Sequence, residues 1–177
     1  MAKKKKQEKC LNIAVVIGVI FVAVITCLMV WQHRYEFFPQ IIKNGVEVHF
    51  LTKNGESKPV KYNYEGITDK SKFRYSIEKL IEGPTSLQKI MNTYSEIPVE
   101  TSIIAIIESP DKNIIDLTPA FDSGGGAESV YNKLSQIINT VEANTDKPTY
   151  LFINGKLTEV FGGEGIMITQ PLSKESL

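Results

Sequence analysis

The chain has 177 residues, 42% of them hydrophobic and 23% charged, with 20 basic residues balancing 20 acidic ones. The balance hides an asymmetry. The first ten residues hold five lysines and one acid, which leaves 15 basic against 19 acidic residues and excludes an electrostatic nucleic-acid binder. The two cysteines, Cys10 and Cys27, both precede the bulk of the chain, so disulfides cannot staple the larger part and its stability must come from a hydrophobic core.

Lys3, Lys4, Lys5, Lys6 and Lys9 form a basic segment, 1–10, before an uncharged apolar run, 11–31. At about 1.5 Å per residue that run makes a helix of roughly 31 Å, the thickness of a bilayer core. It reads as a transmembrane helix contacting lipid, with the basic flank cytoplasmic and the rest outside: a single-pass inner-membrane topology. Trp31, Tyr35, Phe37 and Phe38 read as an interfacial aromatic belt. A cleaved signal would need a shorter core and small residues at the cut. A lipoprotein signal ending at Cys27 is the alternative, but Thr26 before it and Leu28–Trp31 after it fit poorly. Ala14 and Gly18 form a small-xxx-small pair of the kind that packs two anchors.

Residues 32–44 read as a juxtamembrane stalk ending in the Asn44-Gly45 turn. Val46, Val48 and Phe50 alternate with polar neighbours and predict a strand; after Asn54-Gly55, Val60, Tyr62 and Tyr64 predict a second. Thr68 or Asp69 can cap a helix carrying Phe73, Ile77, Leu80 and Ile81 at helical spacing. Gly83-Pro84 stops it. Residues 85–101 are less regular. Ser102–Glu108 is almost continuously apolar, which predicts a strand covered on both faces, and Asn113–Leu117 returns as its hairpin partner. After Gly124-Gly125-Gly126, an apolar stripe of Val130, Tyr131, Leu134, Ile137, Ile138 and Val141 predicts an amphipathic helix. Tyr150–Ile153, the Asn154-Gly155 turn and Leu157–Val160 predict a hairpin. Ile166–Ile168 adds an edge, and 173–177 reads as a frayed tail. The expected fold class is α+β: behind the membrane helix, a two-layer sandwich of one small mixed sheet and two helices over 45–172.

Five stretches in order carry a family resemblance. They are Leu80-Ile81-Glu82-Gly83-Pro84, Ile97-Pro98, Ile115-Asp116-Leu117-Thr118-Pro119-Ala120-Phe121, Gln136-Ile137-Ile138-Asn139-Thr140-Val141 and Phe152-Ile153-Asn154-Gly155-Lys156. Together they resemble the GerMN domain family of bacterial sporulation and germination proteins, in a single copy. The resemblance implies a non-catalytic extracytoplasmic module, similar in fold to ring-building motifs of secretion systems. Its family-motif positions here are Gly83, Pro84, Pro98, Asp116, Leu117, Phe121, Gln136, Asn139, Thr140 and Gly155, which read as structural.

Enzyme chemistry finds little support in the residues. Asp116 lies between two core positions of a strand and is expected to accept hydrogen bonds from the Thr118 turn. Glu108, Asp111, Asp116 and Asp122 would support a glycosidase only if two met across a pocket. The triple glycine lacks a Walker lysine, and Asp122 and Glu128 flank it, so it reads as a loop rather than an anion site. His33 and His49 lack metal-ligand spacing, and His49 has no nucleophile-elbow partner. No catalytic residue, cofactor or metal is expected. The expected function is protein–protein assembly in the cell envelope, with envelope proteins or further copies as partners. The alternatives are a wall glycan or peptide binder using Tyr62, Tyr64, Tyr75 and Tyr94, and less well a wall hydrolase.

Overall fold

The computed structural model describes residues 15, 17–30, 42–163 and 165–177. The basic segment, the aromatic belt, the stalk as far as residue 41 and Ala14 lie outside the described residues. The chain divides into two units, Met1–Ile41 and Ile42–Leu177. In the first, residues 17–30 are helical and their side chains are exposed. Thr26 Oγ bonds back to the Val22 and Ala23 carbonyls, and Cys27 is a free, exposed thiol. Among the described residues no helix is long and apolar enough to cross a membrane.

The second unit is α+β. Strands β1 (Gly45–Leu51) and β2 (Ser57–Asn63) form an antiparallel hairpin. Strands β3 (Ile103–Glu108), β4 (Asn113–Leu117), β5 (Thr149–Ile153) and β6 (Lys156–Leu157) form a mixed sheet in that spatial order, with β4 and β5 parallel. Strands β7 (Val160–Phe161) and β8 (Ile166–Met167) make a small third sheet. The expected single sheet is thus three, because the first hairpin packs against helices instead of pairing with β3.

Helix α1 (Lys72–Glu82) begins later than expected. Ser71 caps it, accepting the Arg74 N–H at 3.0 Å, and Gly83 ends it at φ +77°. A short helix α2 (Ser86–Ile90) occupies the stretch expected to be irregular, held by a Thr85/Gln88 capping box. Helix α3 (Ala127–Asn144) is the long amphipathic helix. Val48 and Phe50 of β1, Ile77 and Leu80 of α1, Leu134, Ile137 and Ile138 of α3, and Ile115, Leu117 and Leu151 of the mixed sheet are buried in one core. Tyr131, expected in that stripe, is 44% exposed at its margin. The tail does not fray. Lys174–Ser176 forms a 3-10 turn, Lys174 pairs with Glu142 at 2.9 Å and Ser176 is buried.

Strand β3 departs most from expectation. It is an edge strand, and Ile104 and Ile107 are 48% and 50% exposed. Helices cover one face of the mixed sheet, where Ile106 is buried; the other face has no helix layer.

Candidate functional site

The family-motif residues join distant parts of the chain. On α3, Gln136, Thr140 and Asn144 are four residues apart and so share one face. Thr140 Oγ accepts the His49 N–H at 2.9 Å, and Asn144 Oδ1 accepts the Glu47 N–H at 3.2 Å while its amide donates to the Glu47 carbonyl at 2.6 Å. Leu51 exchanges backbone bonds with Tyr94 on the same side, and Gln136 accepts the Glu96 N–H at 2.9 Å. A polar helix stripe and one residue of a loop therefore close the edge of β1 that β2 leaves open. The partner of Thr140 is thus a strand, in keeping with a structural role. Asn139, one position off the stripe, donates to Ser135 at 3.0 Å.

Asp116 faces away from Ile115 and Leu117, as the strand period requires. Its partner is not the Thr118 turn: both carboxylate oxygens lie 3.0 Å from the Gly155 nitrogen and accept that N–H. Asn154 and Gly155 have φ of +51° and +75°, the hairpin geometry that favours Asn-Gly. The Asp116 contact therefore ties one motif to another across β4 and β5. Leu117 is fully buried, and Phe121 stacks edge-on against Phe161 with ring centroids 6.1 Å apart. Gly83 and Pro84 stop α1, and Pro98 accepts the Thr101 N–H at 2.9 Å in a turn.

Sequence reasoning missed Lys133. It is 2% exposed, and its ammonium donates to the carbonyls of Phe121, Ser123 and Gly124 at 3.1–3.2 Å. Burial lowers its pKa, partly offset by Asp122 and Glu96. The lysine thus gathers the glycine loop from the α3 side. A signal existed: position 133 falls on the helix arc between the Gln136–Thr140 face and the apolar stripe, where a charge must find partners.

The candidate chemistry of the acids disperses. Glu108 accepts from Ser71 at 2.7 Å, Asp116 from Gly155 and Asp122 from Gly162 at 2.7 Å. Of the tyrosines, Tyr64 and Tyr75 pack on each other at 5.8 Å, and the Tyr62 hydroxyl donates to Gln88 at 3.1 Å. Burial raises the Tyr62 pKa. His49 Nε2 lies 3.1 Å from Glu47, and its Nδ1 lies 2.9 Å from Ser57 Oγ. Among the described residues no group of three or more His, Cys, Asp or Glu could hold a metal.

The uncovered sheet face carries the clearest surface feature. Register aligns Ile107, Ile114 and Tyr150 in one row, and Ala105, Asp116, Phe152 and Leu157 in the next. Apart from Asp116, whose carboxylate is occupied by Gly155, both rows are apolar or aromatic. Leu157 is 46% exposed.

The family described as "Germane: Sporulation and spore germination" matches residues 47–159. The chain belongs to this family. That range runs from β1 through β6 and includes both the α3 stripe and the Asp116–Gly155 clamp. The GerMN fold is shared with solved structures. The first GerMN domain of the sporulation protein GerM from Bacillus subtilis aligns with a TM-score of 0.59 and 17% identity over 74% of this chain and 98% of that one. The tandem GerMN domains of the same protein align with a TM-score of 0.56 and 17% identity over 74% of this chain and 46% of theirs. A putative lipoprotein from Clostridium perfringens aligns with a TM-score of 0.50 and 16% identity over 78% and 93%. No curated protein matches in sequence. In this GerMN domain, the motif residues whose contacts are described above hold elements together.

Proposed function

We propose that this GerMN-domain protein is a non-catalytic docking module of the bacterial envelope, acting in sporulation or germination. In this reading residues 11–31 anchor it in the inner membrane, residues 1–10 stay in the cytoplasm and the folded unit lies outside. The anchor rests on the length and apolarity of that run and on its basic flank. The resemblance to a putative lipoprotein agrees with an extracytoplasmic place for the domain.

One observation carries the docking reading: an apolar sheet face without a helix layer, with Ile104, Ile107 and Leu157 about half exposed. Exposed apolar patches of this kind mark contact surfaces. The partner is an envelope protein or another copy of this chain.

The test is crosslinking in living cells with a photoreactive residue at Ile107, and as a control at Lys61 on the outer side of β2. The proposal expects discrete adducts from position 107 only, lost on Leu157→Lys substitution. Equal labelling from both positions, or adducts indifferent to Leu157→Lys, would refute it. A second arm follows release of wall fragments by the purified protein; robust cleavage would replace docking with hydrolysis.

A further inference from the structure

Where the turn between β1 and β2 meets the first half of α3, the surface opens into a groove of about 540 Å³ whose walls include Asn54, Tyr94, Glu96, Ser129 and Asn132. The groove continues as a strip along α3. Ser129, Asn132, Ser135 and Asn139 succeed one another at intervals of three or four residues, so they line one side of the helix over about 15 Å. All four are half-buried and none is charged. This choice calls for a reason. Asn and Ser are poor helix formers, because their side chains compete for the backbone, and a solvated helix face is better built from Lys, Glu or Gln.

Hydrogen bonds pre-set part of the strip. Ser129 donates to Glu96 at 2.8 Å, Asn139 donates to Ser135 at 3.0 Å, and Asn139 Nδ2 sits 3.5 Å from Ser57 Oγ. Ser57 in turn meets His49. Among the described residues, the carboxamides of Asn54 and Asn132 have no partner. The result is a groove whose walls hold Lys53, Glu96 and Glu128 beside neutral amide and hydroxyl groups and an aromatic side chain, with two carboxamides unengaged, and a neutral polar strip that continues from it along α3.

We propose that this groove binds a neutral, hydroxyl-rich oligosaccharide bearing acetamido groups. Carboxamides both donate and accept, which matches alternating sugar hydroxyls and acetamides. Tyr94 offers an apolar surface with a polar tip, suited to a pyranose face. Glu96 and Glu128 in the groove outnumber its one cation, Lys53, and disfavour a phosphate or other anion. The polar lining disfavours a wholly apolar ligand. The site is separate from the uncovered face of the mixed sheet, so a glycan strand and a protein partner could be held together.

The experiment uses the full chain in lipid nanodiscs, avoiding sugar-based detergents, with tetra-N-acetyl-chitotetraose titrated by calorimetry. The expected result is saturable binding that weakens about threefold to tenfold in each of Asn132→Ala and Asn139→Ala, the scale of a neutral hydrogen bond. The melting temperature of neither variant should fall. Ile107→Lys, on the docking face, should bind the sugar like wild type even if it loses its protein partner. Absence of saturable binding overturns the proposal, as does binding indifferent to both asparagine substitutions. Preferential binding of a neutral tetrapeptide in the same titration would also overturn it and assign the groove to peptide.

Discussion

Replacing Thr140 by Val isolates what the α3 stripe does for β1. Thr140 is fully buried, and its hydroxyl is the partner of the His49 N–H at 2.9 Å. Valine keeps the branched shape and removes the acceptor. The His49 N–H then faces a methyl group in a site that water does not reach, which costs about 1–3 kcal/mol for a donor left unsatisfied. For a folded unit of this size each kcal/mol lowers the melting temperature by roughly 3–5 °C, so Thr140→Val should melt about 3–15 °C below wild type. Thr140→Ser is the counterpart: it keeps the acceptor and gives up one buried methyl, a loss of roughly 0.8 kcal/mol before any cavity cost. Urea unfolding read by fluorescence or circular dichroism gives both values on one scale. Hydrogen exchange adds a local readout, since the His49 amide should lose protection in Thr140→Val and retain it in Thr140→Ser. A Val variant as stable as wild type, with His49 still protected, would refute the claim that the helix stripe closes the strand edge.

Other substitutions test other joints of the domain. Asp116→Ala removes a carboxylate that holds the Gly155 N–H, and a bond to a charged group contributes about 1.5–3 kcal/mol, so its urea midpoint should fall while Asp116→Asn falls less. Lys133 has a folded pKa below its ordinary value, so the unfolded chain binds more protons in the window between the depressed value and about 10.4. The stability of wild type relative to Lys133→Met should therefore rise as pH climbs through that window; a flat or falling difference in paired melts would contradict the burial of the ammonium. Pro59 lies on β2 opposite His49, at a position whose N–H would face outward. Pro59→Val restores that donor and should raise concentration-dependent association in light scattering, with little change in melting temperature.

Much of the α+β order was legible because periodicity reports which residues face inward. Val46, Val48 and Phe50 on β1, and Leu134, Ile137 and Ile138 on α3, are buried as their spacing implies. Periodicity does not report what lies opposite. Ile103–Glu108 is apolar on both sides whether a helix or water covers the second face, so composition suggested a central strand where the fold has an edge. The two ends of the Asp116–Gly155 bond are 39 residues apart, and those of the Thr140–His49 bond 91. A polar residue at a helical position announces that it needs a partner, but not which one. The groove was least legible of all, since it exists only where the Asn54-Gly55 turn meets α3, and the tyrosines proposed for a sugar face are mostly packed elsewhere.

The treatment of edges and faces constrains how a partner can bind. The outer edge of β1 is closed by Thr140, Asn144 and Tyr94, Pro59 interrupts that of β2, and Arg74 donates to the Ile106 carbonyl on β3, whose pairing with β4 is also broken by a bulge. Such features discourage strand addition. Docking on the mixed sheet should then be face-on, with specificity set by side chains. Ile104, Ile107 and Leu157 each have about half their surface left to bury, worth together about 3 kcal/mol at the usual transfer values. Association costs at least about 4 kcal/mol, so these three side chains alone do not hold two proteins together in dilute solution. An anchor confining both partners to one membrane would supply the missing term as effective concentration. If the apolar run 11–31 acts as that anchor, then exchanging it for an unrelated membrane helix should preserve the crosslinks from Ile107, whereas releasing the domain into solution should abolish them. Crosslinks that survive release would mean that the face binds more tightly than its exposed area allows, through contacts beyond these side chains.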